Sequence, residues 1–401
     1  MLQADVVTSE ELAAVKQSSA TKALQNPSVR VLQSPVEVAD IQQHWRKLEQ
    51  SAKGNPVFQS YAWTMATLEN PSAVQSAKIF VVYDQQSLIA VLPLRIEKQK
   101  SLKALTGLGE PFQQYSEMLL EPGYKPAEVL NLLKPHLQKA GADIIHLRQI
   151  RESGALYDYA SAQFTEVGET DGAPWLELNH WDSFEEYLKS ISARSRKTIR
   201  NQRNRLHKSA GLTHRVIRQG DPELETMVLR TLKGRENWVE AMGYASRALE
   251  GDGLQQLLLS LSNGPAKGCE LIAFELKHGD LPISTEWGFL FEGCYSAYMA
   301  DWNPDYEQSS PGKLHQMDVI EACFALGIDK IDFLKPASRY KMTWTSEVAS
   351  VFDAVSPLSF KGQLYASLWL KNLRPLAKRI VLALPKGPRA LLMSTVKKII
   401  G

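Results

Sequence analysis

Ala140-Gly141-Ala142-Asp143-Ile144-Ile145 and Leu326-Gly327-Ile328-Asp329-Lys330-Ile331 stand 186 residues apart and nearly superimpose. In each, a helical pattern (Ala127 to Ala140, Lys313 to Leu326) runs into a glycine, and a short apolar strand follows (Asp143 to Leu147, Asp329 to Phe333). A glycine just past a helix supplies the left-handed residue that ends it. Each copy is preceded by a hairpin. Lys78 to Tyr83 and Ser87 to Ile96 flank Asp84-Gln85-Gln86, while Leu271 to Leu276 and Ile283 to Leu290 flank His278-Gly279-Asp280. These runs are apolar and rich in β-branched residues, as strands are. Cys294 to Met299 adds a further strand. The shared order of hairpin, helix, glycine stop and strand indicates an internal duplication. The period is too long for a solenoid, so the chain reads as two related α/β domains, each a mixed central sheet flanked by helices.

The remaining segments fall around these two units. Residues 1–27 are rich in Ser, Gln and Ala and read as a flexible tail with at most one short helix. The first domain is expected over 28–172, opening with a strand at Val29 to Leu32 and an amphipathic helix from Val38 to Leu48 that lines up Ile41, Trp45 and Leu48. The second is expected over 173–358. Near its start, Trp181-Asp182-Ser183 opens a helix, with Asp182 or Ser183 as cap and Glu185 and Glu186 in the first turn. Arg194 to Lys208 then carries seven basic residues and no acid, with Arg196, Arg200 and Arg203 on one helical face. Residues 359–401 form a basic tail of short amphipathic helices, one holding Leu364, Leu368 and Trp369 and broken by Pro375, the others at Leu376 to Leu384 and Arg389 to Ile400.

Composition narrows the function. The chain has 401 residues, 44% hydrophobic and 22% charged, the make-up of a folded protein with sizeable cores. Three scattered cysteines, Cys269, Cys294 and Cys323, without a C-x-x-C pair, exclude a disulfide scaffold and a Cys-rich zinc site. No H-E-x-x-H or H-x-x-x-H arrangement occurs, so no metal is expected, and no G-x-S-x-G elbow marks a hydrolase. The N-terminus lacks the pattern of a signal peptide, and no apolar run reaches ~20 residues, so a cytoplasmic location is expected. Net charge is +2, yet residues 361–401 hold nine Lys or Arg and no acid, which leaves the body with 37 basic and 44 acidic residues. The tail either packs back on the second domain or contacts an anionic inner-membrane surface, where each cation contributes about 1 kcal/mol. The acidic body argues against DNA as a partner.

Two stretches carry candidate chemistry. Tyr306-Glu307-Gln308-Ser309-Ser310-Pro311-Gly312-Lys313-Leu314 joins a strand to a helix. Small residues ahead of a helix let backbone N–H groups and the helix dipole meet an anion such as a pyrophosphate, and the same residues also make an ordinary helix start. Downstream, Asp332-Phe333-Leu334-Lys335-Pro336 leads into Tyr340-Lys341-Met342-Thr343-Trp344, a polar and aromatic cluster directly after a strand. Loops there commonly carry function, although Tyr340 and Trp344 could equally cap the sheet.

With the basic helix before the second domain, the Ser310-Pro311-Gly312 loop and the Asp332-Phe333, Tyr340-Lys341 and Trp344 positions, the chain resembles the double GNAT-fold acyltransferases of the CelD/BcsL type, relatives of the FemAB aminoacyltransferases. Asn55-Pro56-Val57-Phe58-Gln59-Ser60 before Trp63, and the strand Ala90-Val91-Leu92-Pro93-Leu94, extend the resemblance over about residues 28–356. It implies two tandem GNAT-like domains, an acyl-CoA donor, with acetyl-CoA the first expectation, and a glycan or a nucleotide- or lipid-linked sugar as acceptor. The glycine-rich pyrophosphate motif of ordinary GNAT enzymes is absent, so Ser309, Ser310, Gly312, Lys313 and Leu314 are the residues expected to hold the donor.

GNAT chemistry is direct transfer, needing a general base and polarisation of the thioester carbonyl. Glu286, a carboxylate inside the apolar strand Ser284-Thr285-Glu286-Trp287-Gly288, is the first candidate base: buried, its pKa would rise into the useful range, whereas on the polar side of the strand it would face solvent. Asp301 is the next, and Tyr340 is placed to protonate the leaving thiolate. Lys341, Trp344 and the Arg196, Arg200, Arg203 face are assigned to the substrates, the arginines to phosphate groups, to nucleic acid, or to nothing beyond a solvated face. The first domain reads as a degenerate copy without a counterpart of Ser310-Pro311-Gly312, with Gly107 to Tyr115 lining the acceptor cleft. An aminoacyl-tRNA-dependent FemAB-type transferase and a non-catalytic, membrane-attached ligand-binding module are the alternatives.

Overall fold

Proline and glycine punctuation and a period of two build the first unit. The computed structural model describes residues 21–52, 57–99, 102–243, 246–263 and 268–368. Strand β1 (Pro27–Leu32) is followed by α1 (Gln42–Ser51), which buries Trp45 and Leu48 as the spacing predicts. The expected helix from Val38 is broken at Asp40-Ile41, so a separate turn of helix, Pro35–Ala39, precedes α1. Next come α2 (Tyr61–Leu68), capped by the Ser60 side chain, and the hairpin β2 (Ala77–Asp84) and β3 (Ser87–Gln99), whose turn places Gln85 at φ 56°. Then follow β4 (Leu102–Gly107), β5 (Leu119–Leu120), α3 (Pro126–Gln138), β6 (Ile144–Arg151), α4 (Tyr157–Gln163) and β7 (Thr165–Glu177). Two helices connect the units: α5 (Phe184–Ser190), which Ser183 caps by accepting from Glu186 N–H, and the basic α6 (Ala193–Ala210).

The second unit repeats the plan: β8 (Leu212–Arg218), α7 (Glu223–Ala241), α8 (Gly253–Asn263), β9 (Glu270–His278), β10 (Leu281–Phe291), β11 (Cys294–Trp302), α9 (Pro311–Ala325), β12 (Lys330–Asp332) and β13 (Val348–Pro357), then the short α10 (Phe360–Leu364). The two glycines that stop the repeated helices both adopt left-handed φ, 83° at Gly141 and 66° at Gly327. The duplication also holds at the level of pairing. Ile144 begins the parallel contact of β6 with β4, opposite Ala104, and Lys330, 186 residues later, begins that of β12 with β11, opposite Cys294.

The α/β class and the two tandem units are as expected, but the units share one sheet. The strand order is β1-β2-β3-β4-β6-β13-β7-β12-β11-β10-β9-β8, with β5 added beside β3. The boundary expected at 172/173 falls inside β7. That strand pairs with β13 through residues 165–174 and with β12 through Trp175 to Glu177. Strand β13, late in the second unit by sequence, lies between β6 and β7 of the first. Between the units, Phe58 and Trp63 from the first pack edge-to-face on each other and on Phe289, with centroids 4.9 Å apart for the first pair and 5.2 Å for Trp63–Phe289. Such pairs add about 0.5–1.5 kcal/mol each beyond area burial.

The three cysteines are buried and unbridged. Asn55 and Pro56, most of the N-terminal tail and the tail helices beyond residue 368 lie outside the described residues. The first tail helix starts at Phe360, four residues earlier than the Leu364 pattern suggests.

Candidate active site

Strands β11 and β12 run side by side for only three residues, Cys294 to Ser296 against Lys330 to Asp332. Beyond them β11 continues to Trp302, while the other chain turns off through Phe333 and Leu334, the latter at φ 56°. A wedge therefore opens between Ala297–Trp302 and the segment after Asp332. The β10 register slips beside it, with Trp287 opposite Met299 but Gly288 opposite Ala297, which leaves Tyr298 as a bulge. Gly288 permits this approach: a Cβ there would sit 1.9 Å from the Ser296 carbonyl oxygen.

Glu286 lies in β10 with 3% of its surface exposed, so the strand buries it rather than presenting it to solvent. The Tyr295 hydroxyl donates to its Oε1 at 3.2 Å, and Gln316 of α9 acts on it in the same sense, towards a lower pKa. Burial raises its pKa to about 7, against the lowering by the Tyr295 bond, the Lys341 charge and Gln316. Lys341 donates from Nζ to the Leu334 carbonyl at 2.9 Å. Burial lowers its pKa to about 8, opposed by the Glu286, Asp332 and Asp171 charges. Tyr340 remains partly exposed, yet its hydroxyl is pushed up by burial and by Glu286. These three groups thus form one electrostatically coupled set, in which Glu286 and Lys341 titrate near neutral pH while Tyr340 keeps its proton.

Asp301 belongs to the other face of the sheet. It pairs with Thr285, the neighbour of Glu286, and its carboxylate lies against Gly234 of α7, where a Cβ would come within 2.0 Å of Oδ2. Burial raises its pKa, and Arg235 and Arg230 oppose this.

At the expected donor loop, Ser310 starts α9 in a left-handed conformation, φ 48° and ψ 54°, without capping the helix through its side chain. A Cβ on Gly312 would meet nothing within 4 Å, and Lys313 is exposed. Arg205 of α6 donates to Ser309 Oγ at 2.8 Å, and Gln202 to Ser310 Oγ at 3.4 Å. An uncapped helix start with open space above it and cations beside it fits a diphosphate. Two of the five are buried: Ser309 at 8% exposure, and Leu314, whose side chain lies fully in the core under α9.

The proposed arginine face is divided in its duties. Arg203 pairs with the buried Asp318 of α9, Arg196 is exposed but donates from Nε to the Ile191 carbonyl at 3.1 Å, and Arg200 is exposed. Trp344 is 1% exposed and sits in the same core as Leu314. Tyr115 does not line an open cleft. It is buried, and its hydroxyl donates to Asp332 Oδ1 at 3.0 Å across the two units. Reading the sequence missed Arg151, whose Nε lies 3.5 Å from Asp332 Oδ2, as well as Tyr295, Gln316, Tyr298 and Arg235. Only Arg235 left a trace. Gly234 beside it interrupts an otherwise helical run, and a helical glycine usually marks a close packing contact.

Among the described residues there is no group of three or more His, Cys, Asp or Glu able to hold a metal, and no helix long and apolar enough to cross a membrane.

Comparison with known proteins bears on the domain type and the fold. Residues 193–342 match the family model of the acetyltransferase (GNAT) domain. The fold resembles that of FemX at 12% identity and a TM-score of 0.53, covering 82% of this chain and 98% of that one. It also resembles a tandem GNAT protein from the clavulanic acid biosynthesis pathway, solved without AcCoA, at 11% identity and a TM-score of 0.50, covering 83% and 99%. A conserved protein of unknown function from Bacteroides thetaiotaomicron VPI-5482 shares the fold at 10% identity and a TM-score of 0.50, covering 82% and 100%. No curated protein matches the chain in sequence. The chain carries an acyltransferase domain of GNAT type, and such a domain implies an acyl-CoA donor.

Proposed function

We propose that this acyltransferase moves an acetyl group from acetyl-CoA to an amine or hydroxyl of a sugar or glycan precursor, in exopolysaccharide or cell-envelope synthesis of the CelD/BcsL kind. The observation that carries the transfer reading is the wedge between β11 and β12, with the uncapped start of α9 nearby and Glu286, Tyr340 and Lys341 coupled around it. Acyl-CoA, when bound, supplies an activated thioester carbonyl. Glu286, with a pKa of about 7, accepts the proton that the acceptor loses as it attacks. Tyr340, electrostatically linked to Glu286, gives its proton to the departing sulfur and is reprotonated from Glu286, so that one proton passes overall from acceptor to thiol. Ser309, Ser310, Gly312 and Lys313 are the proposed diphosphate contacts, and Arg200 reaches for an acceptor phosphate.

The sugar acceptor rests on the resemblance. Its test is turnover of acetyl-CoA with panels of amino sugars, nucleotide sugars and lipid-linked sugars, read as thiol release. Release with sugar acceptors alone supports the reading. Transfer only from aminoacyl-tRNA would replace it with the FemAB-type activity, and ligand binding without turnover would leave a non-catalytic module.

For the tail we propose an anionic inner-membrane surface as partner. Supporting this, Phe360 is 87% and Leu364 53% exposed on α10, at the head of the segment that holds nine cations and no acid. Binding to anionic vesicles that is lost in a chain ending at Pro357 supports the contact. Equal binding by both chains rejects it.

A further inference from the structure

The segment from Gly107 to Ser116 serves both units. In its own unit it fills the wedge between β4 and β6. A Cβ at Gly107 would fall 1.8 Å from Gln113 Nε2, one at Gly109 would fall 2.4 Å from Trp63 Nε1, and Ser116 N–H donates to the Arg148 carbonyl at 3.1 Å. Where the second unit has an open splay, the first has its own chain.

Towards the second unit, the same loop is bonded to both strands that bound the open wedge. Tyr298, the bulged residue of β11, donates its hydroxyl to the Phe112 carbonyl at 2.6 Å. Tyr115, three residues along the loop, donates to Asp332 of β12. Phe112 also packs on the start of α8, with Cζ 3.0 Å from where a Cβ of Gly253 would lie. The β12 tether continues inward. Asp332 Oδ1 also accepts from Leu334 N–H at 2.9 Å, which fixes that residue in its left-handed conformation, and the Leu334 carbonyl holds Lys341. Arg151, also of the first unit, completes the hold on Asp332 and lies 5.8 Å from the centre of the Tyr115 ring.

We propose that this loop sets the width of the transfer wedge, with Tyr298 and Tyr115 as positioning residues that hold β11 and β12 at the spacing the donor needs. The first unit, closed to a donor of its own, is then a working wall of the second unit's site. Buried hydroxyls keep their partners because an unmade bond leaves a desolvated donor, so each tyrosine specifies one distance. The loss of either hydroxyl removes a tether without removing ring packing. Asp332 keeps Arg151 and the Leu334 N–H, so the fold survives.

The functional half of this proposal rests on the acyl-CoA reading, and the test separates the two. Full-length Tyr298→Phe and Tyr115→Phe chains are compared with wild type and with Tyr124→Phe, which loses a hydroxyl bonded to Asp84 at 3.0 Å, remote from the wedge. Hydrogen exchange is followed in residues 297–302 and 333–341 without ligand, alongside calorimetric titration with coenzyme A. The expected result is at least tenfold faster exchange in both segments and at least tenfold weaker coenzyme A binding, with a melting temperature no lower than that of Tyr124→Phe. Exchange and affinity equal to those of Tyr124→Phe overturn the proposal, as does faster exchange with unchanged affinity. If wild type binds no coenzyme A, the donor reading falls, and the exchange data alone decide whether the loop holds the wedge. Should Tyr115→Phe fail to fold, Tyr298→Phe decides by itself.

Discussion

The Tyr295 hydroxyl and Glu286 Oε1 meet across neighbouring strands at 3.2 Å, on the face of the sheet covered by α9. The bond favours the carboxylate, but burial outweighs it and brings Glu286 to about pH 7. Glu286→Gln should therefore lose about 10²–10⁴-fold in kcat with coenzyme A affinity unchanged, because general-base catalysis is typically worth that factor. Initial rates and calorimetry on one preparation check this, and undiminished kcat would remove Glu286 as the base.

Stability should move the other way. The folded pKa of Glu286 lies above its ordinary value of 4.5. Its neutral form then favours the fold fully below about pH 4.5, and that contribution is lost as pH rises through 7. Relative to wild type, Glu286→Gln should gain on the order of 3 kcal/mol between pH 4.5 and 8. Urea unfolding at the two pH values measures the difference.

In the pH profile of kcat/KM, the acidic limb belongs to Glu286 near 7 and the basic limb to Lys341 near 8, as macroscopic values of a coupled pair. Lys341→Met removes the cation that holds Glu286 down, so the acidic limb should shift upward and the limb near 8 should vanish. A profile that keeps both limbs would separate Lys341 from the site.

Gly312→Glu tests the donor loop without crowding it, since a side chain there enters open space. A carboxylate at the uncapped start of α9 should weaken coenzyme A binding at least tenfold, while thermal unfolding stays within about 2 °C, as expected of a change worth under ~0.5 kcal/mol. Retained affinity would move the diphosphate elsewhere.

Arg200 and Arg203 share a helix face but should behave oppositely. Arg203→Ala strands the buried Asp318 and should cost about 3–5 kcal/mol in urea unfolding. Arg200→Ala should cost less than ~0.5 kcal/mol and instead raise KM for a phosphorylated acceptor. Equal stability losses would show that both arginines are structural.

How far the sequence could be read follows from the range of each interaction. The two Gly-stopped helices and their strands were legible because a helix stop and an apolar run are local signals, and Gly141 and Gly327 carry them within six residues. Glu286 stood out because a carboxylate in an apolar strand is a local contradiction. The burial of Trp344 and Leu314 was hidden because a motif gives position along the chain but not which side of the backbone faces the core. Asp332 meets Tyr115 across 217 residues, a partnership that no spacing rule encodes. The place of β13 was equally hidden: Val348 to Pro357 reads as a strand, but nothing in it names β6 and β7 as its neighbours.

That placement governs how the protein is made. The first unit's sheet has a vacant lane between β6 and β7 until Val348 to Pro357 arrive. A chain emerging from the ribosome N-terminus first therefore holds one edge of β6 and both edges of β7 unpaired until β12 and β13, which begin at Lys330 and Val348, have been made. Neither unit can finish alone, because closing one requires the last strand of the other, so the molecule should fold late and in a single cooperative step.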